Sequence, residues 1–285
     1  MNNLTKLRFT AATIILLFIL SGTLPADIPA GYYDAAKGKA GAELKAALNT
    51  IVNTGLHQVS YGDARFILNE TDQDPENPAN IILVYRGASV SGDWDSGTTW
   101  NREHVWPQSL LGVDVNNNSI NVGSDLHNLK PANPSENSSR GNKYYDNQTT
   151  TISYAPRDEV KGDLARILFY MVIMYEVAPL DLELVNHTPN LYEMALLNVL
   201  LEWHELDPVD DFERNRNEII YSYQHNRNPF IDSSGFVDRI WIDTTGQSGN
   251  STLFSSEYID DYRLYPCYPN PFNPTTTIQY ELYKE

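Results

Sequence analysis

The sequence predicts an α+β fold, a mixed and largely helical domain between residues 27 and 246. Three observations predict it. Residues 164–177 and 191–204 carry apolar side chains dense enough for substantially buried helices. Short β-like runs also occur, such as the apolar run at residues 81–85. The domain is about 220 residues long, which is enough for one sizeable hydrophobic core.

The first 26 residues have the pattern of a secretory signal peptide. Two cations come first, an apolar run follows at residues 9–20, and small residues lead to Ala26. The apolar run is shorter than the ~20 residues that span a bilayer, and no later segment is long or apolar enough. We therefore expect a secreted or cell-surface protein without a stable membrane span. Cleavage after Ala26 and cleavage after Ala30 both fit.

Two further helices are predicted at either end of the domain. Residues 34–54 carry Ala, Leu and Lys at helical spacing, and Gly55 can end the helix. Residues 211–224 form a charged helix in which Arg214 and Arg216 fit a solvated face.

Residues 100–146 hold most of the residues suited to chemistry. Two short extended runs, 100–107 and 124–131, are separated by a turn-rich connection. A helix is predicted to begin at Pro134 and to run through Tyr145. The stretch gathers two His, several carboxylates and amides, and a few cations. That inventory suits hydrolysis of a phosphate ester with a hard divalent cation.

Glu103 and His104 are neighbours in the first extended run. On a regular strand they would point to opposite faces. Both can serve one site only if the strand ends or bulges there, with which Pro107 is compatible.

The formal net charge of −17 restricts the possible functions. A nucleic-acid-binding module without chemistry needs a broad basic face, and the sequence contains no such run. An enzyme needs only a local patch, which Arg102, Lys130, Arg140 and Lys143 can provide. We expect weak, strongly salt-sensitive substrate binding with little sequence preference.

Three motifs in order carry a family resemblance. Asn-Arg-Glu-His-Val-Trp-Pro-Gln-Ser at 101–109 is followed by Asp-Leu-His-Asn-Leu-Lys-Pro-Ala at 125–132 and Asn-Ser-Ser-Arg-Gly-Asn at 137–142. This set resembles the bacterial secreted endonuclease I family of the ββα-metal, or His-Me finger, nucleases. The likeness extends from about residue 32 to about residue 242. It implies a domain built around a ββα-metal motif and an endonuclease acting on DNA, with RNA as a further substrate.

The resemblance also implies roles for individual residues. His104 matches the general base that activates water. Glu103 and Asn137 match the protein ligands of a divalent ion, for which Mg²⁺ fits and Mn²⁺ or Ca²⁺ are alternatives. The ion would polarise the phosphate and stabilise the leaving 3′ oxygen.

Two departures from the family pattern are visible. Some members carry an arginine after the strand that holds the His, but residues 105–124 contain no Arg or Lys. That role is vacant or filled by Arg140 or Arg227, and we take Arg140 as the catalytic candidate. Some members carry several disulfides, whereas this chain has one cysteine, Cys267.

Substrate contacts are predicted for four donors. Arg102 and Lys130 lie in the motif region, and Arg227 with Asn228 lies in the Asn226-Arg227-Asn228 cluster. Their guanidinium, ammonium and amide groups can bind the phosphate backbone of a nucleic acid.

Plainer interpretations stand beside these. The Glu103–His104 pair alone fits an ordinary polar pair, and Asn137 fits a helix cap. His127 fits a hydrogen-bonded core histidine, and Asn128 fits a side chain bonded to backbone. Two other function classes remain open, a secreted glycosidase with paired carboxylates and a non-catalytic cell-surface module.

The C-terminal part of the chain has a different composition. Residues 247–263 read as a Gly-, Ser- and Thr-rich linker. Residues 264–285 resemble the start of the C-terminal sorting domain of Bacteroidetes-type secretion, truncated to its first strand. The resemblance implies the secretion machinery as a partner. We expect a monomer, with this segment disordered or loosely docked.

Overall fold

The computed structural model describes residues 28–242 and the backbone of residues 262–264 and 280–282. The predicted signal peptide, residues 1–26, lies outside the described residues.

Helices make up most of the regular structure in residues 28–242. The α-helices are α1 (Gly41–Asn53), α2 (Tyr61–Thr71), α3 (Gln108–Leu111), α4 (Pro134–Arg140), α5 (Lys161–Met174), α6 (Leu197–Leu206), α7 (Asp211–Gln224), α8 (Pro229–Asp232) and α9 (Phe236–Trp241). Short 3₁₀ helices lie at Asp34–Ala36, Val122–Ser124, Leu126–Asn128 and Asp158–Val160.

The strands are short and form small separate sheets. Strands β1 (Gln73–Asp74), β2 (Asn77–Ile82) and β3 (Ser89–Ser91) form an antiparallel sheet, and β4 (Asn101–His104) pairs antiparallel with β5 (Leu129–Ala132). Two parallel pairs follow, β6 (Tyr144–Tyr145) with β7 (Ser153–Tyr154) and β8 (Glu183–Val185) with β9 (Glu193–Ala195). Helices beside several small sheets confirm the predicted α+β class.

Helix α5 is the centre of the core. Every residue from 162 to 174 is buried, so this helix is surrounded by protein on all sides. Helices α1 and α6 pack directly against it. Each buried Leu, Ile or Phe side chain contributes about 1.5–3 kcal/mol. The prediction of a buried apolar helix here is confirmed, although the helix begins earlier, at Lys161, and ends at Met174.

A second, smaller core lies beneath the β4–β5 pair. Its buried side chains come from α2, the end of β2, the β4–β5 region and α7, and they are Ala64, Ile67, Leu68, Ile81, Leu83, Trp100, Leu126, Leu129 and Ile220. This cluster fixes α2 and α7 against the strands that carry the predicted site.

Two predicted elements differ from the observed ones. The helix predicted from Pro134 ends at Arg140, because Gly141 adopts a φ of 55° that closes the helix, and Tyr144–Tyr145 is a strand. Residues 191–204 begin as strand β9, since residues 193–195 pair with β8, and helix begins only at Leu197.

Two other predictions differ less. Residues 34–54 divide into a 3₁₀ turn and α1, and the strand predicted at 81–85 is β2, which ends at Ile82. Helix α7 has the predicted bounds, with the Asp210 carboxylate accepting from the Glu213 N–H at 2.9 Å. His225 then ends the helix at a φ of 63°.

Beyond residue 242 the structure describes one antiparallel pair, β10 (Tyr262–Leu264) with β11 (Tyr280–Leu282). Strand β10 begins inside the predicted linker, 247–263. The rest of that linker and of the predicted sorting segment, 264–285, lies outside the described residues. Within the described chain we find no helix with the length and hydropathy needed to cross a bilayer.

Candidate active site

A strand–loop–strand–helix unit positions the site, in the order that the sequence predicts. Strand β4 pairs with β5 so that Glu103 lies opposite Lys130 and His104 opposite Leu129. Helix α4 follows at once, capped by the Asn133 side chain, which accepts from the Ser135 and Glu136 N–H groups at 3.1 and 3.3 Å.

A cleft of about 470 Å³ opens where β4 meets α4. Its lining combines the end of β4, the turn into α3 and one side of α4, with the residues Arg102, Glu103, His104, Pro107, Gln108, Ser109, Asn137, Gly141 and Asn142. Glu103, His104 and Asn137 therefore lie together on one cleft.

The end of strand β4 explains how two neighbouring residues reach one cleft. The ladder stops at His104, and the next backbone N–H, that of Val105, donates to the Asn128 carbonyl. The Asn128 side chain then holds Trp106 through both its N–H and its carbonyl. Glu103 and His104 are the last two residues of the strand, and the cleft at the strand end is lined by both.

His104 is buried and its ring has a defined orientation. Nε2 lies 2.8 Å from the Gly123 carbonyl oxygen, and Tyr61 stacks on the ring at 5.3 Å. A carbonyl only accepts hydrogen bonds, so Nε2 must carry the proton and Nδ1 keeps its lone pair. Burial lowers the pKa of His104 to about 4. The neutral imidazole is thus the stable form at neutral pH, with Nδ1 able to accept a proton.

Glu103 is held from one side only. Its Oε1 accepts from the Tyr85 hydroxyl at 2.5 Å and from Arg140 Nη1 at 2.6 Å. Within the described chain Oε2 accepts no hydrogen bond, and Glu103 lines the cleft. Burial raises the pKa of the Glu103 carboxyl even though Arg140 opposes the shift. This carboxylate therefore has room for a further cation.

Asn137 presents its carbonyl oxygen. Its Nδ2 donates to Asn101 Oδ1 at 2.8 Å and to the Arg102 carbonyl at 3.4 Å. These two bonds fix the amide orientation and leave Oδ1 without a partner among the described residues. Asn133, rather than Asn137, caps α4, so the capping interpretation does not account for Asn137.

Arg140 lies behind Glu103, fully buried. Its Nη1 also donates to the His104 carbonyl at 2.7 Å, and Nη2 donates to the Val105 carbonyl at 2.6 Å. It does not line the cleft, in contrast to the expectation that it contacts a leaving group. The guanidinium instead orients Glu103 and the end of β4.

Arg102 is the predicted substrate-binding residue that does face the cleft. Its guanidinium lies 3.6 Å from the Tyr61 ring centroid and donates to the Tyr61 carbonyl. Nη2 also donates to Asn117 Oδ1 at 3.3 Å. No carboxylate of the described chain forms an ion pair with it, so its charge is available to an anion.

The other three predicted substrate contacts lie in the interior. Lys130 forms a buried ion pair with Asp72 at 2.7 Å. Arg227 binds both oxygens of Asp232, at 2.6 and 2.9 Å. Asn228 caps α8 and is fully buried. None of the three lines the cleft, because the ammonium, guanidinium and amide groups are occupied by intramolecular partners.

His127 and Asn128 follow their plainer interpretations. His127 is buried against Tyr170, with ring centroids 4.2 Å apart, and burial lowers its pKa to about 3. It belongs to the core.

The structure adds residues that the sequence reasoning missed. Tyr61 stacks on His104, Gly123 orients it, and Tyr85 with Tyr145 forms a hydroxyl pair at 2.7 Å beside Glu103. The sequence held one weak signal, the glycine at 123 in the loop between the two strands. The tyrosines lie on separate segments of the chain, and no sequence pattern connects them to the site.

The cleft also bears on the alternative hydrolase class. Glu103 is the one carboxylate among its lining residues. Glycosidases that use paired carboxylates need two, separated by about 5–9.5 Å across the sugar. The geometry therefore does not support that class.

The chain matches known proteins over most of its length. The family model for endonuclease I matches residues 40–155 and 146–234. An extracellular ribonuclease of Bacillus subtilis (strain 168) is 46% identical over 228 residues, which cover 74% of this chain and 78% of that protein. An extracellular ribonuclease of Bacillus amyloliquefaciens is 45% identical over 228 residues with the same coverage. By these matches, the chain belongs to the endonuclease I family.

Proposed function

We propose that this chain is a secreted, divalent-metal-dependent endonuclease that hydrolyses phosphodiester bonds of RNA and DNA with little sequence preference. The observation that carries the proposal is the orientation of His104. The Gly123 carbonyl holds Nε2–H, which leaves the Nδ1 lone pair at a cleft shared with Glu103 and Asn137. Membership of a nuclease family supports phosphodiester hydrolysis as the reaction, and His104 at the cleft is a suitable general base for it.

His104 is the general base in this proposal. Nδ1 takes a proton from water while the water oxygen bonds to phosphorus. The bond from phosphorus to the 3′ oxygen breaks, and that oxygen takes a proton from solvent. The products carry a 5′-phosphate and a 3′-hydroxyl. A positioned base of this kind contributes about 10²–10⁴-fold in rate.

Glu103 Oε2 and Asn137 Oδ1 would hold the cation. Two oxygen ligands suit Mg²⁺, which keeps several waters and takes phosphate oxygens for its other positions, and Mn²⁺ or Ca²⁺ fit the same atoms. The described residues contain no cluster of three His, Cys, Asp or Glu side chains. The ion would therefore depend on one carboxylate and one amide. When bound, it supplies positive charge for the phosphate and the leaving oxygen.

Three cations have distinct tasks in the proposal. Arg102 binds a phosphate of the substrate at the cleft. Lys143 adds charge nearby, since it follows the lining residue Asn142. Arg140 is a positioning residue, because it touches Glu103 and two carbonyls of the β4 end.

The choice of substrate follows from the nucleophile. Water attack does not use the 2′-hydroxyl, so the same site can hydrolyse RNA and DNA. Both relatives are named ribonucleases, which supports RNA as a substrate. Cleavage through the 2′-hydroxyl would instead leave a 2′,3′-cyclic phosphate, and the product ends thus distinguish the two routes.

The proposal also includes export of the enzyme from the cell. Both relatives are named extracellular, and residues 1–26 have the pattern of a signal peptide. We propose that the chain is secreted as a monomeric enzyme and that residues 264–285 belong to a sorting segment read by the secretion machinery.

The test is digestion of plasmid DNA and of ribosomal RNA with Mg²⁺, with and without a chelator. We expect chelator-sensitive cleavage of both, with 5′-phosphate ends. His104→Ala should lower kcat by about 10²-fold or more. His127→Ala, which changes a histidine outside the cleft, is the matched control for loss of an imidazole.

A non-catalytic surface module predicts no degradation under any of these conditions. Cyclic phosphate ends on RNA, or a near-normal rate in folded His104→Ala protein, would reject the proposed role of His104.

A further inference from the structure

A row of alternating aromatic and cationic side chains leads from His104 to the protein surface. In order it contains Tyr61, Arg102, Trp94, Arg65 and Phe66, which we call the stacking ladder. The guanidinium-to-centroid distances are 3.6 Å for Arg102 over Tyr61 and 5.2 Å for Arg102 over Trp94. They are 5.9 Å for Arg65 over Trp94 and 4.7 Å for Arg65 over Phe66.

Two elements and one loop build the stacking ladder. Helix α2 carries Tyr61 and Arg65 one turn apart on the same face, with Phe66 next to them. Strand β4 contributes Arg102. Trp94 comes from the loop before β4 and packs edge-on against the buried Trp100 at 5.0 Å. Tyr61 and Trp94 both pack against the second core, which fixes the inner part of the ladder.

The charge of the stacking ladder is uncompensated. Within the described chain, the cations with no carboxylate oxygen within 4 Å are Lys39, Arg65, Arg102, Lys143 and Arg239. Two of these are in the ladder, and Lys143 follows the cleft-lining residue Asn142 in sequence. In a chain with a net charge of −17, this concentrates positive potential along one path.

Two carboxylates flank Trp94 in sequence without neutralising this path. Asp95 accepts from the Thr98 and Thr99 N–H groups at 2.8 and 3.0 Å and from the Thr99 hydroxyl at 2.7 Å. Neither Asp93 nor Asp95 forms an ion pair with Arg65 or Arg102 in the described chain.

The outer end of the stacking ladder exposes an aromatic face. Phe66 is 54% exposed, and it is the one aromatic residue among the large exposed apolar side chains that the structure describes. Because the ring is mostly exposed, packing in the core does not account for a phenylalanine at this position. A base stacked on it would remove its apolar surface from water and gain π contact.

We propose that the stacking ladder binds one unpaired nucleic-acid strand leading away from the scissile phosphate. Bases stack on Phe66 and Trp94, and Arg65 and Arg102 hold the intervening phosphates. Duplex bases already stack on one another and cannot enter the ladder, so the enzyme favours single-stranded RNA or DNA over duplex. This inference rests on the proposed nuclease function and names the form of its substrate.

The test measures strand binding separately from cleavage. A fluorescein-labelled oligothymidylate of about 16 nucleotides is titrated by anisotropy in the presence of a chelator. For Phe66→Ala we expect Kd to rise about 10-fold, which corresponds to the loss of one base stack. Phe66→Tyr keeps the ring and should bind like the wild type. Ile152→Ala truncates an equally exposed apolar residue outside the ladder, 52% exposed, and is the matched control.

Arg65→Gln tests the phosphate contact independently. We expect the slope of log Kd against log salt to fall by about 0.7, the value for one phosphate on a single strand. A stacking role alone would not change this slope. The same oligonucleotide annealed to its complement should bind more weakly, and Phe66→Ala should change its Kd less.

Two results would overturn the inference. One is unchanged strand binding in both Phe66→Ala and Arg65→Gln, and the other is an equal loss of duplex and single-strand binding. Either can occur while the wild-type protein still cleaves in a chelator-sensitive manner, so the nuclease proposal would stand. Absence of cleavage by the wild type would instead reject the nuclease proposal, whatever the anisotropy shows.

Discussion

Replacing Gly123 with alanine should disable the site through the orientation of His104. The Gly123 carbonyl accepts from His104 Nε2 at 2.8 Å and so selects the tautomer with a free Nδ1. A Cβ added at Gly123 would lie 2.3 Å from Val115 Cγ2. Ordinary contact between carbons begins near 3.5 Å, so the backbone or Val115 must move by about 1 Å.

The magnitude follows from that displacement. A misplacement of about 1 Å in a catalytic arrangement lowers the rate by about 10²-fold. Overpacking of this kind lowers the free energy of unfolding by about 1–3 kcal/mol. We therefore expect Gly123→Ala to fold, with a kcat reduced by roughly 10- to 100-fold.

Val115→Ala provides the matched second variant. It removes the clashing methyl groups, after which the nearest atoms to the new Cβ are Asn121 Oδ1 at 3.2 Å and Val115 Cβ at 3.5 Å. The Gly123→Ala, Val115→Ala double variant should thus recover most of the activity, while Val115→Ala alone should stay near the wild type.

The assay is steady-state cleavage of a labelled oligonucleotide, with imidazole ¹⁵N shifts of His104 as the spectroscopic readout. In wild-type protein the shifts should show a protonated Nε2 and an unprotonated Nδ1. Full activity in Gly123→Ala, or no recovery in the double variant, would refute the reasoning that the Gly123 carbonyl positions the base.

Three further predictions concern the charged residues. Glu103→Gln should raise the Mg²⁺ concentration for half-maximal activity by about 10-fold or more, since an amide replaces a charged ligand; an unchanged Mg²⁺ titration would exclude Glu103 as a ligand. Lys130→Met removes one buried partner of Asp72 and should lower the free energy of unfolding, measured in urea, by about 3 kcal/mol. Lys37→Met removes an exposed ion pair and should change it by less than about 1 kcal/mol. Equal effects of the two variants would contradict this prediction. Burial raises the pKa of Asp163 to about 8, so the folded state holds a proton that the unfolded chain releases near pH 4, and stability should fall as pH rises between about 4 and 8. In Asp163→Asn protein the free energy of unfolding, measured in urea at several pH values, should decrease less over this range. A pH dependence equal to that of the wild type would contradict the raised pKa of Asp163.

The acidity of the chain is compatible with an anionic substrate because most of its cations are occupied. Ion pairs inside the fold take up Lys130, Arg140 and Arg227, and they contribute to architecture rather than to surface potential. The cations left without carboxylate partners in the described chain include Arg102 at the cleft, Arg65 in the stacking ladder, and Lys143. Substrate contact should accordingly be local and sensitive to salt.

The sequence by itself determined the α+β class and the strand–loop–strand–helix order, and the resemblance of its motifs to a known family grouped Glu103, His104 and Asn137. These features depend on local periodicity, on capping and turn residues, and on motifs whose members lie close along the chain. Helix α7 has the predicted bounds because the charged pattern that predicted it is local. Helix α4 was predicted too long, because the conformation of Gly141 was not read as a stop.

Only the tertiary structure decided which donors face the cleft. Arg102 and Arg140 belong to one motif region and carry the same guanidinium, yet one is half-buried at the cleft and the other is sealed behind Glu103. The difference arises from partners that local sequence patterns cannot specify, such as Asp72 for Lys130 and Tyr85 for Glu103. A buried charge must find its partner wherever the chain brings one. Long-range packing therefore decided which cations serve the fold and which remain available to the substrate.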